Sequence, residues 1–237
     1  MQGGSMDISF EQAGQMTRLA ALTVEKGESV HVLHPNQIVA FQGASHLRED
    51  SFMKLSNMYR KKRFIQSRIS GPARCMLGLP EGYNLGTVSI KKDDDLLFEF
   101  KHVLFYMEGM SFRSHIQTVR NAIMARDFVK MRFQGPGTLG LLTAGPLYEV
   151  ELHPDNPLYV DVQCLVAYPQ HISLKPCVYG NTLASQHMNY HWELAGTGSV
   201  LLQPCKPDKQ LDDHMQSESW MRRVLREVIP FGGIFIK

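Results

Sequence analysis

Two fourteen-residue stretches of this chain, Asp93 to Tyr106 and Asp155 to Tyr168, align without a gap at an offset of 62. The first reads DDDLLFEFKHVLFY and the second DNPLYVDVQCLVAY. Each is an acidic turn, an apolar run, a short polar break and a second apolar run. With one gap, Gly27 to Val32 and then Gln37 to Phe41 supply a third copy. Repetition on this scale constrains the fold more than any composition does, because each copy must hide an equivalent face from water.

A second element recurs at nearly the same interval. It reads ISGPARCML from Ile69, FQGPGTLGLL from Phe133 and LAGTGSVLL from Leu194, with Gly71, Gly135 and Gly196 spaced by 64 and 61. Apolar runs of strand length bounded by Gly and Pro predict paired β-strands joined by tight turns. Alternation is clearest at Leu158, Val160 and Val162, with Tyr159, Asp161 and Gln163 expected to face outward. In Gly135-Pro136-Gly137, proline at the second turn position and glycine at the third suit a type II turn with positive φ at Gly137. Gly198 can play that part in the third copy, whereas Ala73 after Gly71-Pro72 resists it and predicts a different turn.

The expected architecture is therefore all-β: one compact domain over 1–237, with three tandem repeats at about 20–80, 85–143 and 147–204 and a C-terminal extension over 205–237. A unit of about 60 residues buries only a modest core alone, so the copies are expected to share one. Two departures from strand are expected. Ile116, Val119, Ile123 and Met124 fit helical spacing, as do Trp220, Met221, Val224, Leu225 and Val228 before Pro230. Gly232 to Ile236 reads as a terminal strand.

Lys and Arg total 25 against 23 Asp and Glu, a net charge of +2 that supplies no global field for nucleic acid. No apolar run reaches the length of a spanning helix. The first residues carry neither a secretory nor a transit pattern, which leads to the expectation of a soluble, cytoplasmic protein. Cys75, Cys164, Cys177 and Cys205 lie far apart without a Cys-x-x-Cys pair, so free thiols are expected.

Catalytic chemistry finds little support. There is no Gly-x-Ser-x-Gly elbow and no phosphate loop, and the expectation is a protein that is not an enzyme and holds no cofactor. His31 and His34 are three apart, which does not place both on one strand face. His187 and His191, four apart, are the better metal pair, but among ten histidines such a pair arises easily by chance, and a pair of surface or loop histidines is the simpler reading. Asp93 to Asp95 invites a cation but reads more simply as a turn. Arg60, Lys61, Lys62 and Arg63 form the densest basic run, suited to phosphates or anionic headgroups but also to a plain solvated face. Trp220 with Arg222, Arg223 and Arg226 has the pattern of an interfacial helix, or of one packed on the body.

The Val-Ala-aromatic step at Val39-Ala40-Phe41 and Val166-Ala167-Tyr168, followed by Phe-x-Gly-Pro-Gly-x-x-x-Leu at Phe133 to Leu141, resembles the altered-inheritance-of-mitochondria family. The resemblance runs from about 20 to 204. It implies three repeats similar to the tryptophan RNA-binding attenuator protein, a β-sandwich or double-stranded β-helix unit in pseudo-three-fold arrangement that assembles into rings. It also implies bacterial cytoplasmic members of unknown function and fungal members tied to mitochondrial upkeep. The functional expectation is a non-enzymatic homo-oligomeric scaffold or binding module, a trimer being one such state, with an unknown protein partner. The alternatives are nucleic-acid binding and peripheral membrane association in organelle or envelope maintenance.

Overall fold

A computed structural model describes residues 18–53, 64–92, 94–116, 129–178 and 190–204. It is nearly all β, with no helix of seven residues or more among the described residues. Among the described residues eighteen strands follow in sequence. The first six are β1 (Leu19–Val24), β2 (Ser29–Val32), β3 (Ile38–Gln42), β4 (Arg48–Phe52), β5 (Ile65–Ser70) and β6 (Ala73–Gly78). The next six are β7 (Asn84–Ile90), β8 (Leu96–Glu99), β9 (Val103–Met107), β10 (Ser111–Ile116), β11 (Val129–Gln134) and β12 (Gly137–Thr143). The last are β13 (Tyr148–Leu152), β14 (Leu158–Asp161), β15 (Leu165–Pro169), β16 (Ser173–Val178), β17 (Tyr190–Ala195) and β18 (Gly198–Leu202).

Strands six apart in chain order make the same antiparallel pairs. β1 pairs with β6, β7 with β12 and β13 with β18; β4 pairs with β5, β10 with β11 and β16 with β17. Two six-stranded sheets result, ordered β4-β5-β2-β9-β12-β7 and β10-β11-β8-β15-β18-β13. Two three-stranded sheets, β1-β6-β3 and β14-β17-β16, stand apart from them.

Period-two alternation explains the one-faced strands. In β6, Ala73, Cys75 and Leu77 are buried while Arg74, Met76 and Gly78 are only half-buried. The unbroken runs Val103 to Tyr106 and Leu165 to Tyr168 are buried throughout, as expected of central strands covered on both faces. Three apolar clusters form the interior, and each reaches across strand sets. Leu104, Phe105 and Leu142 complete the cluster around Leu22, Val32, Ile69 and Leu77, and Leu97 joins the one around Val160, Trp192 and Leu194.

The glycine turns correct the sequence reading, because the strands on either side of each one belong to different sheets and do not pair with each other. The loop between β11 and β12 is Gly135-Pro136, and the positive φ, 97°, falls on Gly135 instead of Gly137. β11 pairs with β10 and β8 while β12 pairs with β7 and β9, so this turn carries the chain from one six-stranded sheet to the other and does not close a hairpin. Gly137 is instead a packing position, since a Cβ on it would sit 2.5 Å from Met110 Sδ. Gly196 and Gly198 both have positive φ, and Gly71-Pro72, with a cis peptide, forms a different turn. A Cβ at Gly71 would lie 2.0 Å from the Glu25 carbonyl oxygen.

Ile116, expected to begin a helix, ends strand β10 opposite Val129. The rest of that helical stretch, the Trp220 helix and the terminal strand lie outside the described residues.

Candidate functional site

Polar side chains gather where one strand set meets the next. The first such seam is β2 against β9, with Val30 opposite Met107, His31 opposite Tyr106 and Val32 opposite Phe105. The His31 and Tyr106 rings stack at 4.7 Å with planes 10° apart. His31 Nε2 lies 3.0 Å from Glu108 Oε2, and Arg68 Nε donates to the same oxygen at 3.0 Å. Burial lowers the His31 pKa, with Glu108 opposing it. Burial raises the Glu108 pKa, but Arg68 and His31 outweigh it and leave the carboxyl below its usual range. Tyr106, whose hydroxyl donates to Gln66 Oε1 at 3.3 Å, is pushed up to about 12 by burial and by Glu108.

The second seam, β8 against β15, places Leu96 opposite Pro169, Leu97 opposite Tyr168 and Phe98 opposite Ala167. Its rim is held by His171, whose Nδ1 lies 3.0 Å from Asp95 Oδ2 and whose Nε2 lies 3.1 Å from the Thr197 carbonyl. The hydrogen bond to Asp95 raises the His171 pKa. Asp95 thus ties two strand sets together, a role that reading the Asp93 to Asp95 run as a turn did not contain. Asp94 does serve the turn, accepting from the Lys91 amide at 2.7 Å. Asp93 lies outside the described residues.

Between the seams lies a buried ionic centre. Glu99 ends β8, and the following 3-10 turn Phe100–His102 folds Lys101 and His102 back toward it. Lys130, its register partner on β11, puts Nζ 2.5 Å from Oε1, while Lys101 Nζ and His102 Nε2 stand 3.5 Å from Oε2. Burial penalises the charged carboxylate, but Lys130 first, then Lys101 and His102, hold Glu99 well below the usual carboxylate range. His102 Nδ1 donates to the Leu142 carbonyl at 2.9 Å. His34 sits beside this group, its ring 5.2 Å from that of Phe100. Burial drives its pKa down to about 4, against a hydrogen bond to the Phe100 backbone. His34 Nε2 is buried with no hydrogen-bond partner.

These groups are turned toward one another, so the charges are spent on internal pairs that buried ions require. Sequence reading missed Glu99, Lys130 and Gln203, because polar residues inside apolar strands carry no spacing signal of their own. Gln203 is buried, and its amide accepts from the Ala144 amide and donates to the Gln163 carbonyl, both at 3.0 Å.

The sequence-selected residues are distributed as follows. Gly71, Pro72, Gly135, Pro136, Gly137, Gly196 and Gly198 lie at the turns that lead from β5 to β6, β11 to β12 and β17 to β18, each from one sheet to another. His191 is on β17, opposite Asp161 and Cys177, while His187 lies outside the described residues. No group of three or more metal-ligating side chains occurs among the described residues. Arg60, Lys61, Lys62, Arg63, Trp220, Arg222, Arg223, Arg226 and Cys205 also lie outside them. Burial pushes the Cys75 thiol up to about 11, which makes it unreactive.

Two six-stranded and two three-stranded sheets, packed over apolar clusters and a buried ionic centre, define an all-β protein. A crystal structure of a Streptococcus pyogenes protein, solved as a structural genomics target, shares this fold. It matches at a TM-score of 0.62 and 14% identity, over 94% of this chain and 100% of that one. Residues 10–205 match the model of the mitochondrial biogenesis AIM24 family, and the chain belongs to that family. No curated protein matches the chain.

Proposed function

We propose that this protein is a non-enzymatic assembly module, a homo-oligomeric scaffold that offers equivalent surfaces to a partner. In this reading, residues 20–80, 85–143 and 147–204 are three copies of one unit of the tryptophan RNA-binding attenuator protein type within a single domain. The supporting observation is the pairing pattern with its irregularity. A one-residue bulge interrupts β3 between Ile38 and Ala40, and an equivalent one interrupts β15 between Leu165 and Ala167. In β9 the register likewise skips from Val103 to Phe105. A bulge is specific to a local sequence, so its threefold recurrence supports common descent of the copies.

The internal pairing of Glu99, Lys130 and His102 supports structural work over catalysis. Membership in a family described by mitochondrial biogenesis supports a role in organelle upkeep. The test is mass in solution by light scattering at micromolar concentration, where multiples of 26.9 kDa are expected and a single 26.9 kDa species contradicts the reading.

A further inference from the structure

Each six-stranded sheet is half one strand set and half the next. β4-β5-β2 meets β9-β12-β7, and β10-β11-β8 meets β15-β18-β13. The two separate sheets are the missing halves of a third. β16-β17-β14 matches β4-β5-β2, and β3-β6-β1 matches β9-β12-β7, strand for strand. Among the described residues their open edges are β14 and β3, the counterparts of the strands that make the two formed seams.

Burial follows this pattern. Val39 of β3 is 58% exposed, while the residues at its position in the bulge, Leu104 and Val166, are 0% and 2% exposed. Ala40 and Gln42 are exposed too, although Ile38 to Phe41 is as apolar as the buried runs of β9 and β15. A sequence suited to a central strand therefore occupies an edge, the arrangement natural proteins ordinarily blunt.

We propose that the β3 edge of one copy pairs antiparallel with the β14 edge of a second copy, completing a third six-stranded sheet. The proposal rests on the oligomeric reading above and names its interface. The formed seams dictate the register. Val32 opposite Phe105 and Phe98 opposite Ala167 place Val160 opposite Ala40. By the same correspondence Tyr159 faces Phe41, as His31 faces Tyr106, and Leu158 faces Gln42. Both formed seams end in an equivalent hydrogen bond, Glu108 N to Ser29 O at 3.0 Å and Gln170 N to Asp95 O at 3.1 Å. The corresponding pair is the Gly43 amide and the Pro157 carbonyl, a donor and an acceptor of the right kinds. The contact joins two different surfaces, so copies add head to tail and either close a ring or extend.

The test combines a charge and a cross-link. Val39→Lys puts an ammonium at a position that is solvated in the single chain and enclosed in the pair, so it should yield folded protein of 26.9 kDa where wild type is larger. Separately, Gln42→Cys chains are mixed with Leu158→Cys chains and oxidised, and the linked peptides are read by mass spectrometry. Neither chain can form the 42–158 link alone, so the expected disulfide reports only contact between copies. Persistent oligomers in Val39→Lys without that link would overturn this interface and leave the scaffold reading standing. A wild type that is only monomeric would overturn both. A 42–158 disulfide formed within the double variant but never in the mixture would show that the two half-sheets close on each other inside one chain, and would overturn the proposal. If Val39→Lys fails to fold, the mixing experiment decides alone.

Discussion

Lys130 and Glu99 meet face to face inside the protein, Nζ 2.5 Å from Oε1, with both residues at most 6% exposed. Neither charge can be stripped of the other without leaving an ion stranded away from water. Lys130→Met is therefore expected to cost about 3–5 kcal/mol in urea unfolding, with Glu99→Gln losing somewhat less because the amide keeps hydrogen-bonding capacity. Replacing both residues together, Glu99→Leu with Lys130→Met, should recover most of the loss. A double variant as unstable as the sum of the singles would contradict the assignment of the cost to an unpaired charge.

His34 should make the fold sensitive to mild acid. Its pKa is about 4 in the folded chain against an ordinary 6.5, under the influence of burial and of neighbouring His102. Between those values the unfolded chain binds the proton and the folded chain does not, so stability falls as pH drops from 6.5 to 4, by about 3 kcal/mol in all. Glu99, with its pKa held low, adds a loss in the same direction once pH passes below about 4.5. Chemical denaturation across pH 4 to 7.5 checks this, and His34→Phe should flatten the upper part of the curve. An unchanged slope in that variant would show that another group carries it.

Gly140 faces Phe105 across β12 and β9, and a Cβ there would lie 2.1 Å from Phe105 Cε1. Gly140→Ala is expected to lower stability by about 1–3 kcal/mol through overpacking. Adding Phe105→Leu should make the two effects less than additive, because the smaller side chain admits the methyl. Strict additivity in thermal or urea unfolding would place the cost elsewhere.

Gln203 satisfies backbone groups at the junction of β12 with the last strand set. Gln203→Ala is expected to cost about 1–3 kcal/mol, the penalty for leaving the Ala144 amide and the Gln163 carbonyl unmet. Hydrogen exchange at Ala144 should accelerate in the variant. Unaltered exchange would mean that the amide finds another acceptor.

Much of the strand plan was legible because apolar runs and turn residues are local signals. Leu96 to Tyr106 and Leu158 to Tyr168 announce two strands each by composition, and Gly71, Gly135 and Gly196 mark turns by position, although the strands they join pair elsewhere. The detail of the turn was not legible. Pro136 before Gly137 suits a type II turn in isolation, but the positive φ falls one step earlier, at Gly135, where the chain crosses from the sheet of β11 to the sheet of β12. Ile116 also departs from its helical spacing, since it ends a strand opposite Val129. The ionic centre was invisible for another reason. Glu99 and Lys130 are 31 residues apart, and only the β8 and β11 register brings them together. Asp95 and His171, 76 apart, meet by the same kind of long-range pairing.

The exposed apolar edge of β3 is where this account is most directly tested. Amide hydrogen exchange of Ile38 to Gln42 is measured on dilute and on concentrated protein, with β9, the enclosed counterpart, as the internal reference. Protection of β3 should rise with concentration toward that of β9, while β9 itself stays unchanged. Exchange in β3 that is fast and indifferent to concentration would contradict the idea that a second copy covers this edge.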